Sequence, residues 1–352
     1  VDWLRRNLFS SLTSTLLSVL LLSAALWVAV VLAQWLVVDA YWAGMGPAAC
    51  PDKGAFCWPF VRERYDQFLY GFYPVEHRWR IDVGLAAAAA LILSFAFGPR
   101  SYRRFGFPSL ALVYVVAAAA LFLGGWGGLE YVPTHRWGGA FLTLVTVAFV
   151  FALALPAGVL LALGRTSMLP LVRSLCALWI EFWRGVPALV VLFVATIMFP
   201  LFVPENINVD RLLRALIAMT ILMSSYLAEA VRGALSAVPQ DQHEAAQVLG
   251  LGYWRRMFLV VMPQALSTAL PQIASNLLGL LKETTVLLVI GVPDILGMVQ
   301  AAASDPAWLS EGALMTGYLF TAVVFWVCCF GLSQYSRRLE RQLAPPRQSE
   351  QL

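Results

Sequence analysis

With 60% hydrophobic and 12% charged residues in 352, the chain is too apolar for a soluble domain, where charged residues run at about 25%. The mean hydropathy is strongly positive, and a net charge of +4 is small enough that its placement matters more than its size. That excludes a soluble enzyme or a nucleic-acid partner and predicts an all-α integral membrane protein, long enough for about eight spans of roughly 20 residues.

The chain begins VDWLRRNLFSSL, with basic residues ahead of an apolar run. The run is too long for a signal-peptide core, and no A-x-A site closes it, so it predicts a retained first span over 15–38. Further apolar runs follow at 83–98, 107–129, 138–164, 187–203, 212–231, 258–281 and 312–335. Arginines set the orientation. Arg5 and Arg6, then Arg100, Arg103 and Arg104, then Arg165, Arg173 and Arg184 all fall on one side of such an arrangement. So do Arg232, Arg255 and Arg256, and finally Arg337, Arg338 and Arg341. The positive-inside rule makes that side cytoplasmic, with both termini on it. Asp39, Asp52, Glu130, Glu205, Asp210, Asp294 and Asp305 take the other side.

Cys50 and Cys57, in CPDKGAFC, lie in the long outer loop over 39–82. They read as a disulfide of an oxidising compartment or as two free thiols. Cys176, Cys328 and Cys329 sit in or near apolar runs and read as packing residues. Residues 1–135 form an extension with three spans and a loop; 136–337 hold five spans and most polar anomalies; 338–352 are a polar tail. No P-loop occurs, and His77, His135 and His243 are too scattered for a metal site.

The polar run PQDQHEAAQVLGLGYWRRMF, residues 239–258, breaks the second half. A helix over 240–249 is half a bilayer long and cannot span. Asp241 and Glu244 form a D-x-x-E start resembling a capping box, Ala245, Ala246 and Leu249 make a narrow apolar face, and Gly250 supplies a left-handed stop. A short helix with small residues on one face reads as a docking peg, the bland alternative being a capped loop with no partner.

Glu244, Ala245, Ala246, Gly250 and Pro263 match the spacing of the cytoplasmic EAA loop of ABC importer membrane subunits, which this segment resembles. IEFWRGVPALVVLF, SYLAEAVRGALSAVPQDQHEAA and LLKETTVLLVIGVPDIL resemble the polar amino-acid uptake branch, and HRWGGAFLTLVTVAF with the long extension resembles general L-amino-acid importers. The sequence departs from that branch at Asp241, where Gly is usual, and in KETT, where K-D-T-S is more frequent. The resemblance implies a type I permease core of five helices carrying three additional N-terminal ones, in the bacterial inner membrane. It implies a second homologous permease subunit, two ATP-binding subunits carrying ATP and magnesium, and a periplasmic binding protein. This chain itself would need no cofactor and perform no catalysis. An ion-driven secondary amino-acid transporter is the alternative, although no inverted repeat is visible.

An amino acid needs an anion for its ammonium and a cation for its carboxylate. Tyr226 and Glu229 share one helical face; Lys282, Glu283, Thr284 and Thr285 end the seventh span; Arg184 precedes a Gly-Val-Pro break. Glu229 or Glu283 is the expected ammonium partner, and Lys282 or Arg184 the carboxylate partner. Each has a structural alternative: a Lys282–Glu283 pair, a Glu229–Arg232 pair, or, for Arg184, an inside-facing flanking charge with Glu181 as a partner.

Overall fold

The computed structural model describes residues 8–51, 54–98, 107–204 and 209–343. Arg5, Arg6, Asp52, Arg100, Arg103, Arg104, Glu205 and the tail beyond residue 343 lie outside the described residues. Among the described residues the chain is helical, with two isolated β-bridges and no strand. Among the described residues, five helical segments are long and apolar enough to cross a membrane: Leu12–Val38, Gly139–Arg165, Arg211–Ser236, Tyr253–Ile290 and Glu311–Arg341. A bent pair is a sixth. Helices Trp79–Phe97 and Phe107–Leu123, of 19 and 17 residues, supply the remaining two of the eight expected.

In chain order the helices are α1 (Leu12–Ala33), α2 (Trp58–Tyr70), α3 (Trp79–Phe97), α4 (Phe107–Leu123), α5 (Gly139–Arg165), α6 (Pro170–Gly185) and α7 (Ala188–Phe193). They continue with α8 (Arg211–Ser236), α9 (Gln240–Val248), α10 (Tyr253–Arg256), α11 (Met262–Glu283), α12 (Ile295–Ala303) and α13 (Glu311–Leu343).

Two sequence expectations are corrected. The third span stops at Leu123 rather than 129, because Gly124, Gly125, Gly127 and Gly128 all adopt positive φ, which no helix sustains. The outer loop over 39–82 contains α2, an amphipathic helix. The fifth span, expected over 187–203, runs over Ala188–Leu201, and α6, which precedes it, meets it at 98°. Pro187 sits outside the helical region at ψ 135 and starts α7, so Val186–Pro187 forces the corner. A π-helical turn, Val194–Met198, then loosens this span, and Arg214 of α8 donates to the Thr196 carbonyl at 2.7 Å.

The described chain falls into two compact units, Val1–Tyr65 with Val299–Phe320 and Asp66–Met298 with Thr321–Leu352. In the first, a disulfide joins Cys50 and Cys57. The Cys57 amide donates to Thr316 Oγ1 at 2.8 Å, Arg64 pairs with Asp305, and Phe60 packs on Trp308.

In the second, α5 and α8 are the most closely packed helices. Ala154, Gly158 and Ala162, four residues apart, form a fully buried small-residue seam. A Cβ on Gly158 would lie 2.9 Å from both Leu227 Cβ and the Ser224 carbonyl oxygen, so the two backbones touch there. This seam, without signal in the charge pattern, lets α5 and α8 approach each other closely.

Near the start of α5 there is a second close contact, with the turn that follows α2. Gly71, at φ +65, lies so near Gly138 that a Cβ would stand 2.5 Å from its Cα. Gly139, at φ +68, donates its N–H to the Pro293 carbonyl at 3.2 Å. Beside it, Asp294 is fully buried; Oδ1 accepts the Gly297 N–H at 2.9 Å, capping α12. Burial pushes this carboxyl up to about 6, against the opposing pull of backbone N–H groups. Because the folded value lies above the ordinary 3.8, the folded chain binds this proton more tightly than the unfolded one. Stability from this group is therefore greatest below pH ~4 and declines as pH rises through about 6. Asp294→Asn preserves the cap and is expected to erase that dependence. Thermal unfolding of the detergent-solubilised chain at pH 5 and 7.5 checks it: the wild type should gain stability at pH 5 relative to the variant.

Candidate functional site

At the end of α8, Pro239 takes the N-cap position of α9 at φ −58 and ψ 142. No side chain caps the helix, which corrects the Asp241–Glu244 capping-box reading: with Pro239 outside the helix, both acids lie within it. Asp241 nonetheless sits in the first turn, where the helix dipole favours a negative charge. α9 ends at Val248, one residue earlier than expected, with Leu249 as its C-cap.

The stop itself follows the glycine. Gly250 has φ +74, its N–H reaches the Gln247 carbonyl at 2.9 Å, and the Leu251 N–H reaches that of Ala246 at 3.1 Å. This bond pair is a Schellman motif, and the left-handed residue at its centre favours glycine. Ala246 is buried and seats the helix, while Gln264 Nε2 donates to Gln242 Oε1 at 3.2 Å and ties it to α11. Glu244 and Ala245 remain exposed, and the tip presents Val248 at 87% and Leu249 at 79% exposure. The buried face is thus Ala246 alone rather than Ala245, Ala246 and Leu249 together. Two bare aliphatic side chains at the end of an anchored helix suit a surface that meets another protein.

Five charges from three helices converge elsewhere in the chain. Glu229 of α8 accepts from Arg232 at 2.6 Å and 3.0 Å and from Arg165 of α5 at 3.4 Å. Arg184 of α6 approaches Glu229 at 3.9 Å, and Arg165 also pairs with Glu181 of α6 at 2.8 Å. Arg184 further lies over the Tyr226 ring, 5.8 Å from its centroid. Three guanidiniums against two carboxylates leave one positive charge, shared where α5, α6 and α8 end. Sequence reasoning saw Tyr226, Glu229, Arg184, Glu181 and Arg232 separately; it gave Arg165 only a topological role. The Glu229–Arg232 alternative is present, but as part of this larger cluster, and Glu181 pairs with Arg165 rather than Arg184.

The other candidates lie apart in the sequence, at the end of α11. Lys282 and Glu283 are exposed, and neither makes an ion pair among the described residues, so they do not satisfy each other. Thr284 is fully buried and donates to the Leu281 carbonyl at 2.9 Å, which makes it a helix-end packing group rather than an exposed hydroxyl. Thr285 donates to the Lys282 carbonyl at 2.9 Å.

Residues 154–345, more than half of the chain, match the family model for binding-protein-dependent transport system inner membrane components. The chain is 42% identical over 340 residues to the inner membrane amino-acid ABC transporter permease protein YhdY of Escherichia coli (strain K12), an alignment covering 97% of this chain and 92% of that protein. It is 34% identical over 408 residues to the glutamate/glutamine/aspartate/asparagine transport system permease protein BztC of Rhodobacter capsulatus, covering 97% and 93%. Among solved structures, a chain of an amino acid ABC transporter crystallised with histidines superposes with a TM-score of 0.51 at 26% identity, over 58% of this chain and 92% of that one.

Proposed function

The chain belongs to the family of binding-protein-dependent transport system inner membrane components, and on that premise we propose that it is the permease subunit of an ATP-driven importer of L-amino acids. The observation that carries the coupling part of this reading is α9, a nine-residue helix seated by Ala246, stopped by Gly250 and exposing Val248 and Leu249. In this reading α9 docks on one of two ATP-binding subunits, which hold ATP and magnesium; this chain holds no cofactor. A second, homologous permease subunit completes the pathway, and a periplasmic binding protein delivers substrate. The names of the two relatives support amino acids as the cargo.

The arginine distribution supports both termini in the cytoplasm, with the disulfide on the periplasmic side. Residues 136–337 form the transporting core, 1–135 an addition to it, and 338–352 a cytoplasmic tail. Closure of the ATP-binding subunits moves α9, and the bundle exchanges outward-facing for inward-facing forms. For substrate contact, Lys282 and Glu283 are the better pair, because Glu229 and Arg184 are engaged in the five-charge cluster. Glu283 would take the ammonium and Lys282 the carboxylate.

The test is purification of the complex around this chain, reconstituted in liposomes. A P-loop protein should accompany it, and its ATP hydrolysis should rise when the amino-acid-loaded binding protein is added. No accompanying ATPase would overturn the reading.

A further inference from the structure

Within the unit formed by Val1–Tyr65 and Val299–Phe320 there is an open cleft of about 750 Å³. That volume lies in the range of sites for small ligands. Gly54, between the disulfide cysteines, contributes to its wall; Gln300 and Ser304 of α12, Ser310, and Glu311 and Tyr318 of α13 supply polar groups. Their hydrogen bonds leave a defined set of valences open. Gln300 Nε2 spends one N–H on Tyr318 OH at 3.1 Å, keeping its second; the Tyr318 hydroxyl, being the acceptor there, keeps its own hydrogen. Ser310 Oγ accepts the Ala313 N–H at 3.1 Å and likewise retains its O–H. Ser304 is used up, donating to the Gln300 carbonyl at 2.7 Å. Glu311 is exposed and makes no ion pair among the described residues.

Three uncommitted donors and one unpaired carboxylate in a single cleft are the complement of a molecule with a carboxylate at one end and an ammonium at the other. A simple amine would leave the donors idle, and a simple carboxylate would be repelled by Glu311. We infer that this cleft binds a free α-amino acid, its ammonium on Glu311 and its carboxylate on Ser310, Tyr318 and Gln300. The ligand class follows from the cleft's own groups; its use as a waiting place for substrate released by the binding protein rests on the importer reading. The cleft is separate in sequence from the Lys282–Glu283 pair, and the disulfide loop gives the N-terminal extension a part in building it.

Equilibrium binding to the full-length chain in nanodiscs, without binding protein, tests this with radiolabelled L-glutamate, L-glutamine and L-arginine. At least one should bind. Its N-acetyl derivative, lacking the ammonium, and its methyl ester, lacking the carboxylate, should compete at least about tenfold more weakly. Glu311→Gln and Tyr318→Phe, both nearly isosteric, should each weaken binding by about tenfold or more. No binding by any of the three, or binding indifferent to both variants, overturns the inference. Because the readout needs no ATP hydrolysis, these outcomes are distinguishable from failure of the importer reading. A complex with stimulated ATPase but no cleft binding loses the cleft alone. A chain with no ATPase but with binding sensitive to both variants keeps it.

Discussion

Replacing Val248 and Leu249 together by aspartate is expected to strip the ATP-binding subunits from the purified complex and abolish transport, while the chain itself folds normally. Both side chains are largely in solvent, at 87% and 79% exposure, so the free chain loses almost no packing. In an interface the same two positions would be buried apolar contacts near the centre of a small patch. Truncating such a contact costs about 2 kcal/mol at hot spots, so the pair removes about 4 kcal/mol, or roughly a thousandfold in affinity. Charge buried at those positions adds to the loss. Gly250→Ala should act more mildly, since it leaves the tip in place and strains a left-handed residue by about 1–2 kcal/mol. Quantitative co-purification of the ATPase with each variant checks the ordering. Undiminished capture by the double aspartate variant would remove α9 as the docking element.

That helix was legible in the sequence because its signals are local. Glu244, Ala245, Ala246 and Gly250 lie within one helix and its stop, and the Gly250 turn needs no distant partner to form. The apolar spans were legible for the same reason, since length and charge-free composition decide them. What failed locally did so at prolines and glycines. Pro239 displaced the expected cap, and the positive-φ glycines after Leu123 ended the third span early. α6 was hidden because its Arg173, Glu181 and Arg184 read as charges of a cytoplasmic connection, although they mark the polar face of an amphipathic helix. Long-range juxtapositions were not legible at all. Arg165 and Glu229 are 64 residues apart, and the Cys57 amide meets Thr316 across 259. Nothing in the spacing of Ala154, Gly158 and Ala162 announces that α8 lies against them, since alanine recurs in every span of this chain.

The five-charge cluster yields the second large effect, and it separates two roles for Glu229. If Glu229 serves to hold α5, α6 and α8 together, Glu229→Gln leaves Arg165, Arg184 and Arg232 facing one another with only Glu181 to balance them. Removing one member of a fully buried ion pair costs about 3–5 kcal/mol, whereas exposed pairs contribute below about 1 kcal/mol. The Glu229 side chain is 25% exposed, so an intermediate loss of roughly 2–3 kcal/mol is expected. Thermal unfolding should fall accordingly, and transport should fall with it. Charge balance then supplies the control: adding Arg232→Gln to Glu229→Gln removes the surplus cation and should recover part of the stability. If Glu229 instead binds the substrate ammonium, Glu229→Gln would raise the apparent KM for uptake with stability unchanged, and the second substitution would restore nothing. Measuring both Tm and uptake across the single and double variants decides between them. The convergence of three arginines on one carboxylate favours the structural role, because a site for an incoming ammonium would not already hold three cations.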